Sequence, residues 1–272
     1  MRFAWGTRTF VMGIINVTPD SFSADGVLGD PAVAVALGRG MVEAGVDILD
    51  VGGMSSRPGH QEISLDEELG RVMGVLPGLR AAVEVPISID TYRYEVAKAA
   101  VETGATVIND IWALQREPRL AELAAQTRSG LVLMHNQDNT TYSDLVHDII
   151  ESLARSVAVA ESAGVAREAI VVDPGIGFGK TAEQNLEVLR RLGELKALGL
   201  PILLGTSRKS TIGKVLGLPV EDRIEGTAAT VALGIAGGAD IVRVHDVAPM
   251  VRVARMSDAI VRGGWTEPEV AA

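Results

Sequence analysis

Eight short apolar segments recur along this 272-residue chain, and each ends in a polar or glycine-containing turn. Their apolar character is continuous and does not alternate with polar residues, which is typical of parallel strands buried on both faces. The segments cover residues 10–17, 47–53, 86–91, 107–110, 131–136, 170–175, 201–207 and 241–246. The pattern predicts eight buried strands.

Stretches with helical periodicity lie between these strands, and several end in a glycine that is expected to cap the helix. The capping glycines are Gly45, Gly104, Gly164 and Gly238. Examples of the helical stretches are residues 31–44, 65–83, 94–103, 118–127, 142–163, 181–198 and 223–237. Such alternation indicates either a closed eight-stranded barrel or an open doubly wound sheet.

The positions of the polar residues distinguish these two architectures. Asn16, Asp90, Asn109 and Asp173 each stand at or near the carboxyl end of a different predicted strand. An open sheet concentrates its polar groups at one switch point, whereas a barrel gathers all eight strand ends around one mouth. We therefore expect a single-domain (β/α)8 TIM barrel over residues 1–272, with a flexible tail at roughly 264–272.

Composition excludes several classes of function. The chain has 25 basic and 35 acidic residues, a net charge of −10, so general attraction to nucleic acid or to an anionic membrane is not expected. It has no cysteine, which excludes disulfides, thiolate metal sites and cysteine nucleophiles. The apolar stretch 10–17 is too short for a signal peptide or a membrane span, and we expect a cytoplasmic protein.

Two loops near the start of the chain are candidates for ligand binding. The first, residues 16–26, follows a buried strand with several hydroxyl groups and Phe22, as in a mobile loop over a pocket, and Asn16 could bind a metal or a polar ligand. The second, residues 52–59, combines glycines and hydroxyls with Arg57 and is suited to gripping a phosphate. Both could instead be ordinary surface connectors.

Three hydrogen-bond acceptors are predicted to converge at the mouth, since a carboxylate closing an apolar strand needs a partner there. They are Asp90, Asn109 and Asp173, which together match the donors of an aminopyrimidinone-type heterocycle. A Mg²⁺ site is the alternative. For Asp110, helix capping is at least as plausible as ligand contact.

A glycine-rich segment, residues 173–181, ends in Gly-Lys-Thr and superficially resembles a phosphate-binding P-loop. The match fails, because Pro174 stands where that motif requires glycine. We expect a turn that displays Phe178 over the mouth, followed by a helix capped by Thr181.

Basic residues follow the last two predicted strands, where barrels commonly bind phosphate. Lys209, Arg243 and His245, together with Arg57, could form a cationic pocket, although surface ion pairs are the alternative. The sequence shows no adjacent nucleophile and base, and any base for Ser207 is distant along the chain. His60 and His147 are expected at the surface.

Eight motifs, taken in order, resemble those of the dihydropteroate synthase family. The resemblance covers nearly the whole chain, beginning with IINVTPDSFS at residues 14–23. It continues through residues 47–59, 88–91, 108–110, 134–135, 173–180, 207–209 and 243–247. Any one of these motifs is weakly specific, whereas eight in register are highly specific.

The resemblance implies a role for each matching residue. The catalytic residues would be Asp90, Asp173, Lys209 and Arg57, and Asn16 would also bind a Mg²⁺ ion. The pterin ring would be bound by Asp90, Asn109, Ile111, Met134, Asp173, Phe178, Gly205, Lys209 and Arg243. The diphosphate would be bound by Asn16, Arg57, Arg243 and His245, and 4-aminobenzoate by Phe22, Ser56, Pro58 and Ser207. A cytoplasmic homodimer with small-molecule substrates is implied.

Three positions depart from the family pattern, and all lie on the two early loops. Met54 stands where glutamate is common, Ser56 where threonine is common, and Ala24-Asp25 shift an acidic residue of the first loop. Two alternatives follow: a pterin-binding methyltransferase barrel, or a non-catalytic pterin-binding paralogue. The same departures suggest an altered response to sulfonamides, which mimic 4-aminobenzoate.

Overall fold

A computed structural model describes residues 3–17, 31–55, 62–263 and 265. Its centre is a sheet of eight parallel strands in the order β6-β5-β4-β3-β2-β1-β8-β7. The strands are β1 (Phe10–Asn16), β2 (Ile48–Gly52), β3 (Ile87–Asp90), β4 (Val107–Asp110), β5 (Gly130–Met134), β6 (Ile170–Asp173), β7 (Leu203–Leu204) and β8 (Ile241–Val244). A parallel bridge between Val172 and Ile202 joins the two edge strands. The predicted TIM barrel is therefore confirmed, and the open sheet is excluded.

Helices cover the outside of the barrel. They are α1 (Pro31–Glu43), α2 (Leu65–Ala82), α3 (Tyr94–Glu102), α4 (Arg119–Thr127), α5 (Leu145–Ser162), α6 (Ala182–Arg190), α7 (Ser210–Leu216), α8 (Ile224–Ala236) and α9 (Val247–Val261). The four capping glycines all have positive φ, from +94° at Gly45 to +111° at Gly104, as predicted for helices that return to a sheet.

Two predicted helices have different bounds, for identifiable reasons. The stretch 142–163 becomes helical only at Leu145, because the Asp144 side chain accepts a hydrogen bond from the His147 amide and caps the helix there. The stretch 181–198 splits at Arg191 into α6 and a 3₁₀ segment, Leu192–Leu198. Thr181 caps α6 as expected, in a capping box with Gln184.

The barrel interior is apolar at one end and polar at the other. Side chains at alternate strand positions point into the lumen, since successive residues of a strand face opposite sides. A buried apolar layer fills the amino-terminal end of the lumen; it consists of Phe10, Met12, Ile48, Val107, Val132, Val171, Leu203 and Ile241. Two residues further along several of these strands come Asp50, Asn109, Asp173 and Arg243, so the lumen becomes polar at the mouth.

Candidate active site

The three acceptors predicted to converge lie in one polar layer at the mouth. Asp90 and Asn109 occupy paired positions of β3 and β4, and Asp173 pairs with Met134 across β5 and β6. All three polar side chains are buried. Burial of this kind is unfavourable without hydrogen-bond partners, so the layer is built to bind something polar.

Arg243 supplies the positive charge of this layer. Its Nε lies 2.6 Å from Asp50 Oδ2, and its Nη2 lies 2.6 Å from Asp90 Oδ2. Asn109 donates from Nδ2 to the same Asp50 oxygen at 3.1 Å. One guanidinium therefore bridges two buried carboxylates, with Asn109 aligned beside them. The sequence did not predict Asp50 as a site residue.

The environment of this cluster shifts its proton equilibria. Burial raises the pKa of Asp90 to about 7, while Arg243 acts in the opposite direction. Burial alone would lower the pKa of Arg243, but Asp50 and Asp90 raise it above its ordinary value. The guanidinium thus stays charged, and the Asp90 carboxyl can change protonation near neutral pH.

Asp173 and Lys209 form the second charged pair at the mouth. The Gly175 amide donates to Asp173 Oδ1 at 2.7 Å. Burial raises the pKa of Asp173, and Lys209 opposes the increase. Burial likewise lowers the pKa of Lys209 to about 8 against the attraction of Asp173. The two groups therefore stabilise each other's charged forms inside an apolar surround.

Apolar side chains adjoin these charges, and we call the space that they line with Asp173, Lys209 and Arg243 the slot. The Lys209 ammonium lies 4.6 Å from the centre of the Phe178 ring and donates to the Ile176 carbonyl. Two apolar side chains of the neighbouring strand ends are also buried: Ile111 directly after β4, and Met134 as the last residue of β5. Gly205 leaves open the space between Arg243 and Asp173, since a side chain there would lie about 4 Å from both.

Ser207 and His245 are in contact, although the sequence assigned them to different substrates. His245 Nδ1 lies 2.9 Å from Ser207 Oγ, and the His245 amide donates to the same oxygen at 3.1 Å. This imidazole is distant from Ser207 along the chain, as the sequence indicated, but it lies beside it in space because β7 and β8 are neighbours in the barrel. Arg208 is paired with Asp246 at 2.6 Å, which joins the same two strand ends a second time.

Asn16 ends β1 beside the cluster. A side chain at Gly52 would lie 3.9 Å from Asn16 Oδ1 and 3.8 Å from Asp90 Oδ2, so glycine keeps the space between those oxygens open. Within the described ranges, no group of three or more His, Cys, Asp or Glu side chains could hold a metal ion. A Mg²⁺ ion held by one amide oxygen, with its other ligands from phosphate and water, fits this donor set.

Several residues predicted at the site lie outside the part of the chain that the structure describes. They are Phe22, Ser56, Arg57 and Pro58, and the same holds for His60 and the Ala24-Asp25 departure. Asp110 accepts from the Trp112 and Leu114 amides at 2.8 and 2.6 Å, so it caps the turn after β4 and not a helix, because α4 begins only at Arg119. His147 is exposed beside Glu151, as expected.

A further buried pair was not recognised from the sequence. Lys180 Nζ lies 3.0 Å from His135 Nδ1, behind the slot. In the sequence, Lys180 was part of the glycine-rich segment 173–181 and His135 was part of the family motif at residues 134–135, with no sign that the two touch. Their contact depends on how the loops after β5 and β6 pack together, which sequence spacing does not reveal.

Comparison with known proteins agrees with this geometry. The model of the family described as "Pterin binding enzyme" matches residues 12–245. Dihydropteroate synthase from Clostridium beijerinckii is 51% identical over 262 residues, covering 96% of this chain and 97% of the relative. The Bacillus subtilis dihydropteroate synthase is 48% identical, covering 94% of this chain and 90% of the relative.

Solved structures agree as well. The Clostridium difficile dihydropteroate synthase, determined in the presence of pteroic acid, has a TM-score of 0.92 and 51% identity, covering 96% of this chain and all of that one. The Yersinia pestis synthase with a sulfonamide drug has a TM-score of 0.89 and 37% identity, covering 96% and 98%. This chain belongs to the dihydropteroate synthase family of pterin-binding enzymes, which are transferases of folate biosynthesis.

Proposed function

We propose that the polar layer at the barrel mouth joins a (7,8-dihydropterin-6-yl)methyl diphosphate to 4-aminobenzoate, giving 7,8-dihydropteroate and diphosphate. The observation that carries this proposal is the buried set Asp90, Asn109 and Asp173, three acceptor-bearing side chains at neighbouring strand ends of the barrel mouth. An aminopyrimidinone ring presents several N–H donors in one plane. Such a ring satisfies these acceptors without adding net charge to the site.

The charged pairs support a specific placement of the ring. Asp173 and Lys209 offer an acceptor and a donor that stabilise each other electrostatically, and one edge of the pterin is proposed to pair with both. Phe178 packs on the Lys209 ammonium and offers an apolar face to the ring. Arg243, held by Asp50 and Asp90, is available below the slot.

The chemistry proposed is a dissociative substitution. Departure of the diphosphate breaks the C–O bond and leaves a delocalised pterin-methyl cation, which the carboxylates of Asp90 and Asp173 stabilise. The amine of 4-aminobenzoate then attacks the methylene carbon and loses a proton. No protein nucleophile is needed, so Ser207 and His245 act as binding groups in this scheme.

The diphosphate leaves readily only when cations neutralise its negative charge. His245 at the end of β8 and Arg57, which lies outside the described residues, are the proposed protein contacts of the diphosphate. A Mg²⁺ ion at Asn16 would supply neutralisation of the phosphate charge when bound. Phe22, Ser56, Pro58 and Ser207 remain the proposed contacts of 4-aminobenzoate.

A two-substrate assay tests the proposal. Purified protein, Mg²⁺, the pterin diphosphate and 4-aminobenzoate should yield 7,8-dihydropteroate and diphosphate, with the product identified by mass. Binding of the pterin without turnover would instead indicate a non-catalytic paralogue. Affinity for methyl-tetrahydrofolate with none for the diphosphate would indicate a methyltransferase.

We also propose that the chain acts as a homodimer in the cytoplasm. Large apolar side chains are exposed on the last two helices: Leu233 is 69% exposed on α8, and Met256 and Ile260 are 62% and 72% exposed on α9. Pairing of this face with a second copy would remove it from water. None of the described helices is both long and apolar enough to cross a membrane. Sedimentation of the protein with and without Ile260→Glu tests the dimer.

Sulfonamides are proposed inhibitors, because the Yersinia pestis relative has been solved with such a drug and this chain shares its fold. Met54, where the family commonly has glutamate, is buried at the start of the second loop. Inhibition that 4-aminobenzoate relieves by competition supports the proposal, and a comparison with Met54→Glu measures the effect of the departure.

A further inference from the structure

The ammonium group of Lys180 is buried where the loops after β5 and β6 meet, and it makes three short contacts. Its Nζ lies 3.0 Å from His135 Nδ1, 3.1 Å from the Gly175 carbonyl and 3.0 Å from the Phe178 carbonyl. An ammonium group has three donors and no acceptor, so these contacts use all of them. While Lys180 is charged, Nδ1 accepts its hydrogen bond, so His135 is neutral and carries its proton on Nε2.

The surroundings fit this protonation pattern. Burial, and then the charge of Lys180, lower the pKa of His135 to about 3, which keeps the imidazole neutral at physiological pH. Burial lowers the pKa of Lys180 itself to about 7, while Asp173 acts to raise it. The charges of Lys209 and, more weakly, Lys180 in turn oppose the increase that burial causes in the pKa of Asp173.

The loop that Lys180 closes packs closely against its neighbour. Gly175 and Gly179 have φ of +69° and +56°, a left-handed conformation that favours glycine. A side chain at Gly175 would come within 1.9 Å of the His135 carbonyl oxygen, and one at Gly179 within 2.6 Å of the Gln137 carbonyl oxygen. The two loops thus pack backbone to backbone. The Tyr142 hydroxyl adds a hydrogen bond to the Gly179 carbonyl at 2.8 Å.

This loop in turn sets the position of the slot. Its Ile176 carbonyl accepts a hydrogen bond from the Lys209 ammonium, and its Phe178 ring lies beside the same ammonium. The Gly177 amide donates to Asn185 Oδ1 at 2.7 Å, which fixes the middle of the loop to α6. A displacement of the loop would therefore move both Phe178 and Lys209.

We propose that Lys180 is a positioning residue for the pterin slot and does not itself touch substrate. It holds one loop, which carries Phe178 and contacts Lys209, against His135. The inference rests on the proposed function, because it concerns the slot assigned there to the pterin. The proposed contacts of 4-aminobenzoate lie on other strand-end loops. Lys180 thus affects one substrate and not the other.

The test is a comparison of Lys180→Met with Lys98→Met. Methionine has similar length and no donors, and Lys98 is an exposed residue of α3, where the same change leaves the slot intact. For Lys180→Met we expect KM for the pterin diphosphate to rise about tenfold, which is about 1.4 kcal/mol. Both kcat and the KM for the aminobenzoate substrate should stay within about twofold. Lys98→Met should change none of these.

Two further measurements make the outcome decisive. If Lys180→Met does not fold, Tyr142→Phe, which removes only the hydroxyl bonded to Gly179, should raise KM for the pterin diphosphate about threefold and leave KM for the aminobenzoate substrate unchanged. Calorimetric binding of 6-hydroxymethylpterin reports on the slot even if the parent protein shows no turnover, so failure of the proposed function remains distinguishable. Equal loss for both substrates, or unchanged pterin affinity in the folded variant, would overturn the inference.

Discussion

Replacing Arg243 with methionine should destabilise the protein strongly and in a pH-dependent manner. The guanidinium lies 2.6 Å from both Asp50 and Asp90, and its removal leaves two buried carboxylates without their cation. Loss of one partner from a buried ion pair costs about 3–5 kcal/mol. For a chain of this size each kcal/mol lowers Tm by about 2–4 °C, so a decrease on the order of 10 °C is expected.

The sign of the pH dependence follows from Asp90. Its pKa is raised to about 7 with Arg243 present, and it rises further when the guanidinium is removed. A carboxyl whose folded-state pKa exceeds its unfolded value destabilises the fold when ionised. The penalty is thus full above the folded pKa and shrinks as the pH falls toward the unfolded pKa of about 4, the value of a model peptide.

The assay is thermal unfolding followed by circular dichroism at pH 8.5 and pH 5.5, each variant compared with the parent at the same pH. Arg252→Met, a matched change at an exposed position of α9, is the control and should leave Tm nearly unchanged. Adding Asp50→Asn to Arg243→Met should recover part of the loss at pH 8.5. Two results would refute the reasoning: a decrease in Tm at pH 8.5 equivalent to less than about 1 kcal/mol, or a decrease in Tm that is larger at pH 5.5 than at pH 8.5.

Three other predictions concern activity and packing. Because Asp90 acts as a carboxylate and has a pKa of about 7, kcat/KM should fall as the pH drops below 7, and a flat profile down to pH 5 would contradict that role. EDTA should abolish turnover, and Mg²⁺ should restore it, without changing the affinity for 6-hydroxymethylpterin; full activity in EDTA would exclude the proposed metal. Gly234→Ala should lower stability by about 1–3 kcal/mol in chemical denaturation, since its methyl group would lie 2.2 Å from Leu204. The control Gly74→Ala, in open space on α2, should raise stability by about 0.5–1 kcal/mol, and equal effects would contradict the packing.

The strands and the barrel could be predicted because burial on both faces produces continuous apolar segments that few other structures require. The same feature concealed Asp50. It lies inside an apolar segment, two residues before the strand's end, and its importance comes from facing the lumen. Residues two apart on a strand face the same side, so the residue two before a strand's end also faces the lumen. That rule would have identified Asp50 before Gly52, as it identifies Ser88 before Asp90.

The contacts between strand ends could not be predicted in this manner. Ser207 and His245 are 38 residues apart, and Lys180 and His135 are 45 apart. Strand pairing brings the first pair together, because β7 and β8 are hydrogen-bonded neighbours. The second pair depends on the close backbone approach at Gly175 and Gly179. Sequence indicates which residues reach the mouth, whereas packing decides which of them touch.

A crystal structure of the protein with a bound 6-hydroxymethylpterin diphosphate tests the central claim most directly. We expect the pterin ring nitrogens within hydrogen-bond distance of Asp90, Asn109 and Asp173, with Phe178 and Lys209 along one face and edge. The diphosphate should extend toward Asn16 and His245. A ring bound elsewhere on the barrel, with those three side chains still bound to Arg243, Asp50 and the Gly175 amide, would contradict the claim.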